Sequence, residues 1–151
     1  MEITYKNHYD DSYFTGEKTY TAHEGKIQKY HGPSLTWSYF SVIANTLSSL
    51  LPKGTLLDIG CSAGDLARYL MQKGFDPYGV EISEYAVQNC VPEMKNRIAL
   101  GDITECPQKL FSAHENVGTS DIFCTFPEQF DTVIATDLLE HIYQEDLDKT
   151  F

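Results

Sequence analysis

The chain has 151 residues, 42% of them hydrophobic and 22% charged, with a formal net charge of −11 at pH 7. That length holds one domain with a substantial buried core and excludes two of ordinary size, and the composition is that of a soluble globular protein. The acidic balance argues against DNA or an anionic membrane surface as main partner, while leaving room for a small ligand in a local site.

No apolar run approaches the roughly 18 residues that span a bilayer, and the start "MEITYKNHYDDSYF" lacks a signal-peptide pattern. The expected compartment is the cytoplasm. Cys61, Cys90, Cys106 and Cys124 are widely spaced with no C-x-x-C, so they read as free thiols of a reducing compartment, not as a zinc site or disulfide framework.

Residues 1–33 are rich in aromatics without sustained periodicity. Tyr5, Tyr9, Tyr13, Phe14, Tyr20 and Tyr30 are too many for a disordered tail, so the segment is expected to be an irregular arm packed on the domain. Tyr9, Tyr13, Tyr30 and His31 are lid candidates, with hydrophobic packing the more usual role of such residues. Residues 34–151 form the domain proper. Its first helix starts near Ser34, carries Phe40, Ile43, Leu47 and Leu50 on one face, and ends at Pro52-Lys53-Gly54.

A β/α alternation follows. Thr55 to Ile59 reads as a strand, Asp65 to Lys73 as a helix closed by Gly74, and Tyr78 to Ile82 as a second strand. Ser83 can cap the next helix, which stops before Pro92. Arg97 to Leu100 is the third strand and Asp131 to Thr136 the fourth, leading into the helical "DLLEHIYQEDLDKTF". The connection "ECPQKLFSAHENVGTSDIFCTFPEQF" is longer than most in compact domains and holds a short helix near Pro107 to Phe111. Strands alternating with helices imply right-handed βαβ units, hence a parallel sheet covered on both faces.

The turn after the first strand reads Gly60-Cys61-Ser62-Ala63-Gly64. It lacks the G-x-G-x-x-G of dinucleotide sites and the G-x-x-x-x-G-K-[ST] of ATP or GTP sites. Asp58, two residues before it, would repel a pyrophosphate but attract an ammonium or sulfonium by about 1 to 4 kcal/mol at contact distance. The alternative is an acid that only caps the turn's amides. Glu81 ends the second strand 21 residues after Gly60, and Asp102 follows the third strand 21 residues later. In a parallel sheet these strand ends are neighbours, so Asp58, Glu81 and Asp102 should line one cleft.

The run "LLDIGCSAGDLARYL…YGVEIS…IALGDI…FDTVIATDLLEHI" resembles the class I S-adenosylmethionine-dependent methyltransferases over residues 55 to about 145. The resemblance implies a Rossmann-like α/β fold, with S-adenosylmethionine bound and S-adenosylhomocysteine as product. It implies that Gly60, Cys61, Ser62 and Gly64 pack against the methionine part and that Glu81 holds the ribose hydroxyls. Asp102 would bond the adenine amino group between Ile82 and Ile103, and Asp137, or nearby Thr136, would lie at the methionine end. Asp58 joins this set on its electrostatics. Ser62 replaces the family's central glycine, which matters little unless its φ is positive.

The family has seven strands in order 3-2-1-4-5-7-6, and this chain supplies four. The fourth would then be an edge, so the expectation is a fragment of a longer protein or a homodimer through that edge. "Asp137-Leu-Leu-Glu140-His141" resembles a metal-binding run of some relatives. Leu-Glu-His is also common in metal-free ones, so no metal is expected. Asp137 and His141 are the only catalytic candidates, with a structural role for each as the alternative. The leading reading is methyl transfer to a small molecule, with no nucleic acid or membrane partner. The other is a cofactor-binding half-domain or partner subunit without activity of its own.

Overall fold

A computed structural model describes residues 9–15, 19–21, 27–29, 37–104, 124, 126–136, 138, 139, 142 and 146. In chain order these form α1 (Asp11–Phe14), β1 (Thr19–Thr21), β2 (Ile27–Lys29), α2 (Trp37–Leu50), β3 (Thr55–Ile59), α3 (Asp65–Gln72), β4 (Asp76–Glu81), α4 (Glu84–Gln88), a 3₁₀ turn (Pro92–Met94), β5 (Ile98–Leu100) and β6 (Thr132–Ile134). The main sheet is parallel in order β5-β4-β3-β6. In family terms that is 3-2-1-4, the Rossmann-like arrangement read from the sequence.

β3 shows why. Leu56 to Ile59 are all buried, as in a strand covered on both faces. Side chains alternate between faces: Leu56 joins Ala44, Leu66, Leu70 and Phe75 beneath α2 and α3, while Leu57 and Ile59 join Val80, Ile103 and Phe126 on the other side. Asp58 is the polar exception. A third cluster, Cys61, Ala67, Val87, Met94 and Ile98, fills the space around α3, α4 and β5. α3 ends as expected at Gly74 (φ 87). The Gly74 amide donates to Met71 and the Phe75 amide to Leu70, the paired bonds of a Schellman cap.

Element bounds differ from the sequence reading in physically informative ways. The second strand begins at Asp76, not Tyr78, and so contains Pro77. Proline is tolerated there because β5 pairs only with Gly79 to Glu81, leaving the Pro77 stretch of β4 unpaired on that side. On α2, Phe40, Ile43 and Leu47 pack inward as expected, but Leu50 is 72% exposed. Leu51 takes its place, because its amide continues the helix by donating to Leu47 at 2.9 Å. The third and fourth strands are shorter at their ends than read. The arm is more regular than read: β1 and β2 pair as an antiparallel hairpin, and Asp10 caps α1 by accepting from the Tyr13 amide. α1 lies on α4, with Phe14 stacked on Tyr85 at 5.8 Å. The helix expected at Pro107 to Phe111 lies outside the described residues, as do Tyr30, His31 and most of the segment after β6.

Candidate functional site

The carboxyl ends of β3, β4 and β5 meet at one edge of the sheet. Asp58 stands opposite Gly79, and Glu81 lies two residues further along the same face of β4. Leu100 stands opposite Glu81, and the Gly101 amide extends that ladder by donating to the Glu81 carbonyl at 2.9 Å. Asp102 follows at once. The three acids read from the sequence are thus carried to neighbouring strand ends.

The turn after β3 is pinned to β4. The amides of Gly60 and Cys61 both donate to the Val80 carbonyl, at 2.8 and 3.2 Å. Gly60, Ser62 and Gly64 all have positive φ, at 77, 51 and 83°. For Ser62 this is a correction: the serine does sit in the left-handed conformation that glycine adopts without strain. The result is chemical as well as steric, since the Ser62 amide donates to Glu81 Oε2 at 2.7 Å. On the other side the Ser83 amide donates to Oε1 at 2.8 Å. Ser83 also caps α4 through its hydroxyl.

The Glu81 carboxylate is therefore held between two backbone amides, with acceptor capacity left on each oxygen. Burial pushes its pKa up, and the bonds from Ser83, Ser62 and Ile82 oppose that shift. Asp58 is different. Only 2% exposed, its Oδ1 has no hydrogen-bond partner. It does not cap the turn, the alternative the sequence left open. Burial first, and the Glu81 charge second, raise its pKa to about 8.

Asp102 Oδ1 accepts from both the amide and the hydroxyl of Thr104, at 2.8 and 2.7 Å. Ile103 packs into the cluster of Leu57, Ile59 and Val80, while Ile82 is half-buried. The Cys61 side chain turns away from the sheet edge into the core with Ala67 and Met94, and burial pushes its thiol pKa well up. Gly79 makes room for it, since a Cβ there would overlap the Cys61 sulfur. Gly64 lies against Met94. Gly60 is backed by the Leu138 side chain. Asp137, Glu140 and His141 lie outside the described residues, and among the described residues no group of three acids, histidines or cysteines could hold a metal.

Sequence reasoning missed three supports: the Val80 carbonyl, the Ser83 amide and the void at Gly79. Only the last had a signal, a glycine inside a strand, which marks close approach of another group.

An S-adenosylmethionine-like ligand fits this donor set. A buried unpartnered carboxylate asks for a cation, a clamped carboxylate offers acceptors to hydroxyls, and two acids side by side would repel a phosphate. The methyltransferase-domain family matches residues 19–151.

The chain belongs to the methyltransferase-domain family.

Solved structures extend the likeness of this methyltransferase domain at the level of fold. A Pyrococcus horikoshii protein, PH0226, superposes with TM-score 0.53 at 19% identity, covering 80% of this chain and 48% of that one. Magnesium protoporphyrin IX methyltransferase of Synechocystis, solved with bound S-adenosylhomocysteine, gives 0.51 at 22% identity, over 76% and 48%. An Archaeoglobus fulgidus S-adenosylmethionine-dependent methyltransferase gives 0.50 at 19%, over 74% and 44%. The methyltransferase domain spans about half the length of these proteins. No curated protein matches it significantly. No helix among the described residues is long and apolar enough to cross a membrane.

Proposed function

We propose that the chain binds S-adenosylmethionine at the carboxyl ends of β3, β4 and β5 and serves methyl transfer to a small molecule in the cytoplasm. The observation that carries this reading is the clamp on Glu81. Two backbone amides fix its carboxylate at the strand end and leave it free to accept a vicinal pair of hydroxyls. When bound, the cofactor supplies a methyl group activated by a sulfonium.

In this reading Glu81 takes the ribose hydroxyls, and Asp58 balances the positive charge of the cofactor. Asp102 uses the oxygen not engaged by Thr104 for the adenine amino group, with Ile82 beside the ring. The turn from Gly60 to Gly64 bounds the methionine portion, with Cys61 contributing backbone only. Asp137 and His141 remain candidates on the acceptor side. Methyl transfer then depends on placing acceptor, methyl carbon and sulfur in line.

The second reading is a cofactor-binding half-domain or partner subunit without turnover. It is favoured by β6, which among the described residues pairs only with β3.

Calorimetry with S-adenosylmethionine and S-adenosylhomocysteine tests the site, with NAD as the phosphate-bearing control. Saturable binding of the first two and none of NAD is expected. Glu81→Ala should weaken binding by about 1 to 3 kcal/mol, the range for hydroxyls that lose a charged acceptor. An unchanged dissociation constant in a folded variant rules the site out. Turnover, measured on the chain and on any longer reading frame that contains it, separates the two readings.

A further inference from the structure

Asp58 and Glu81 form a buried carboxyl pair whose two members are treated differently. Both Glu81 oxygens accept a backbone amide, from Ser62 and from Ser83. Such bonds favour the ionised form. Asp58 Oδ1 accepts nothing, although the residue is 2% exposed. Two adjacent buried carboxylates repel strongly, so the pair is most stable with one proton. The geometry assigns that proton to Asp58.

No cation among the described residues offsets it. From β4 the facing group is Glu81, an acid. From the turn it is Cys61, whose thiol is pushed well above its ordinary range and stays neutral. β6, whose Ile134 stands opposite Asp58, carries no titratable side chain in Thr132 to Ile134. On α3 the nearest charges, Asp65 and Arg68, pair with each other at 3.4 Å. Asp137 and His141 lie outside the described residues.

We propose that binding of a cationic ligand at this site is coupled to loss of a proton from Asp58. The O–H bond of the Asp58 carboxyl breaks, the proton passes to solvent, and the carboxylate left behind faces the incoming positive charge. A neutral adenosine compound would leave the proton in place. The site thereby selects for charge as well as shape, and its affinity for a cationic ligand rises with pH. This inference rests on the cofactor reading above. The elevated Asp58 pKa, about 8, sets the range in which the coupling is visible.

Calorimetry of the whole chain with S-adenosylhomocysteine and S-adenosylmethionine, in buffers of different ionisation enthalpy, counts the protons released. The ligand's own ammonium can also lose a proton, so the count is taken as the difference between wild type and Asp58→Asn. With S-adenosylmethionine, the cationic probe, the difference at pH 7 should be about 0.9 proton per ligand, falling to about 0.1 at pH 9. Adenosine should release none. The ligand-free chain provides a second readout: the Asp58 carboxyl carbon, followed by NMR, should titrate near pH 8.

Binding with equal proton counts in wild type and Asp58→Asn overturns the coupling and leaves the cofactor reading standing. So does an Asp58 midpoint below pH 6 in the free chain. Absence of binding heat with either ligand overturns the cofactor reading and the coupling together, which the binding isotherm shows before any proton is counted.

Discussion

At the residue scale, side chains near the turn are set by backbone geometry that their own identities do not reveal. Ser62 is the example. Its φ of 51° costs a non-glycine residue about 1 to 2 kcal/mol, yet that conformation aims its amide at Glu81. Ser62→Gly keeps the amide and removes the strain, at a loss of about 0.4 to 1 kcal/mol through a looser unfolded chain. A net gain between about 0 and 1.6 kcal/mol in denaturant unfolding is expected, with cofactor affinity unchanged.

Asp58 gives a pH signature of stability. Its pKa is raised from 3.8 to about 8 in the folded chain, so the folded state holds the proton more tightly than the unfolded one. The resulting stabilisation is present in full below pH 3.8 and is lost as pH rises through about 8. Asp58→Asn does not titrate. Between pH 5 and pH 8 its stability should therefore gain on wild type by about 2 to 4 kcal/mol, measured by urea unfolding at each pH. A constant gap across that range contradicts the assignment.

Asp102 separates two roles in one carboxylate. Asp102→Asn keeps an acceptor for Thr104, so the fold should be untouched, while the other oxygen becomes a donor that faces an adenine amino group. S-adenosylhomocysteine should bind about 1 to 2 kcal/mol more weakly. Equal affinity would restrict Asp102 to holding its local turn.

At the element scale the instructive strand is β6. Three residues pair with β3, Val133 is 55% exposed, and the other flank has no partner among the described residues. A parallel strand with a bare flank is a template for another strand. The arm does not answer this need through α1, which packs on α4, the helix that links β4 to β5. The 151-residue chain is therefore expected to dimerise through β6 or to aggregate at micromolar concentration in light scattering. A monomer with β6 amides protected from hydrogen exchange would show that another part of the chain covers the flank.

At the scale of the whole molecule, charge acts on that association. Two copies carrying −11 each repel at long range. Salt screens the repulsion without weakening strand pairing, so the dimer fraction should increase from low to moderate ionic strength. The same acidity leaves little attraction for nucleic acid. The relatives in fold are about twice as long.

The sequence by itself determined the strand–helix alternation, the parallel sheet and the three acids at its carboxyl edge. These follow from local signals: apolar runs, glycine turns and a capping serine, each readable within a dozen residues. The tertiary structure decided what the acids are. Burial beneath α3 with no donor makes Asp58 a carboxyl that keeps its proton. Two amides from separate turns bond the Glu81 carboxylate and oppose the upward shift that burial gives it. The positive φ of Ser62 and the inward turn of Cys61 against Gly79 belong to the same class. Each depends on what a distant segment brings alongside, and protonation and strain are properties of those surroundings, not of the residue's name.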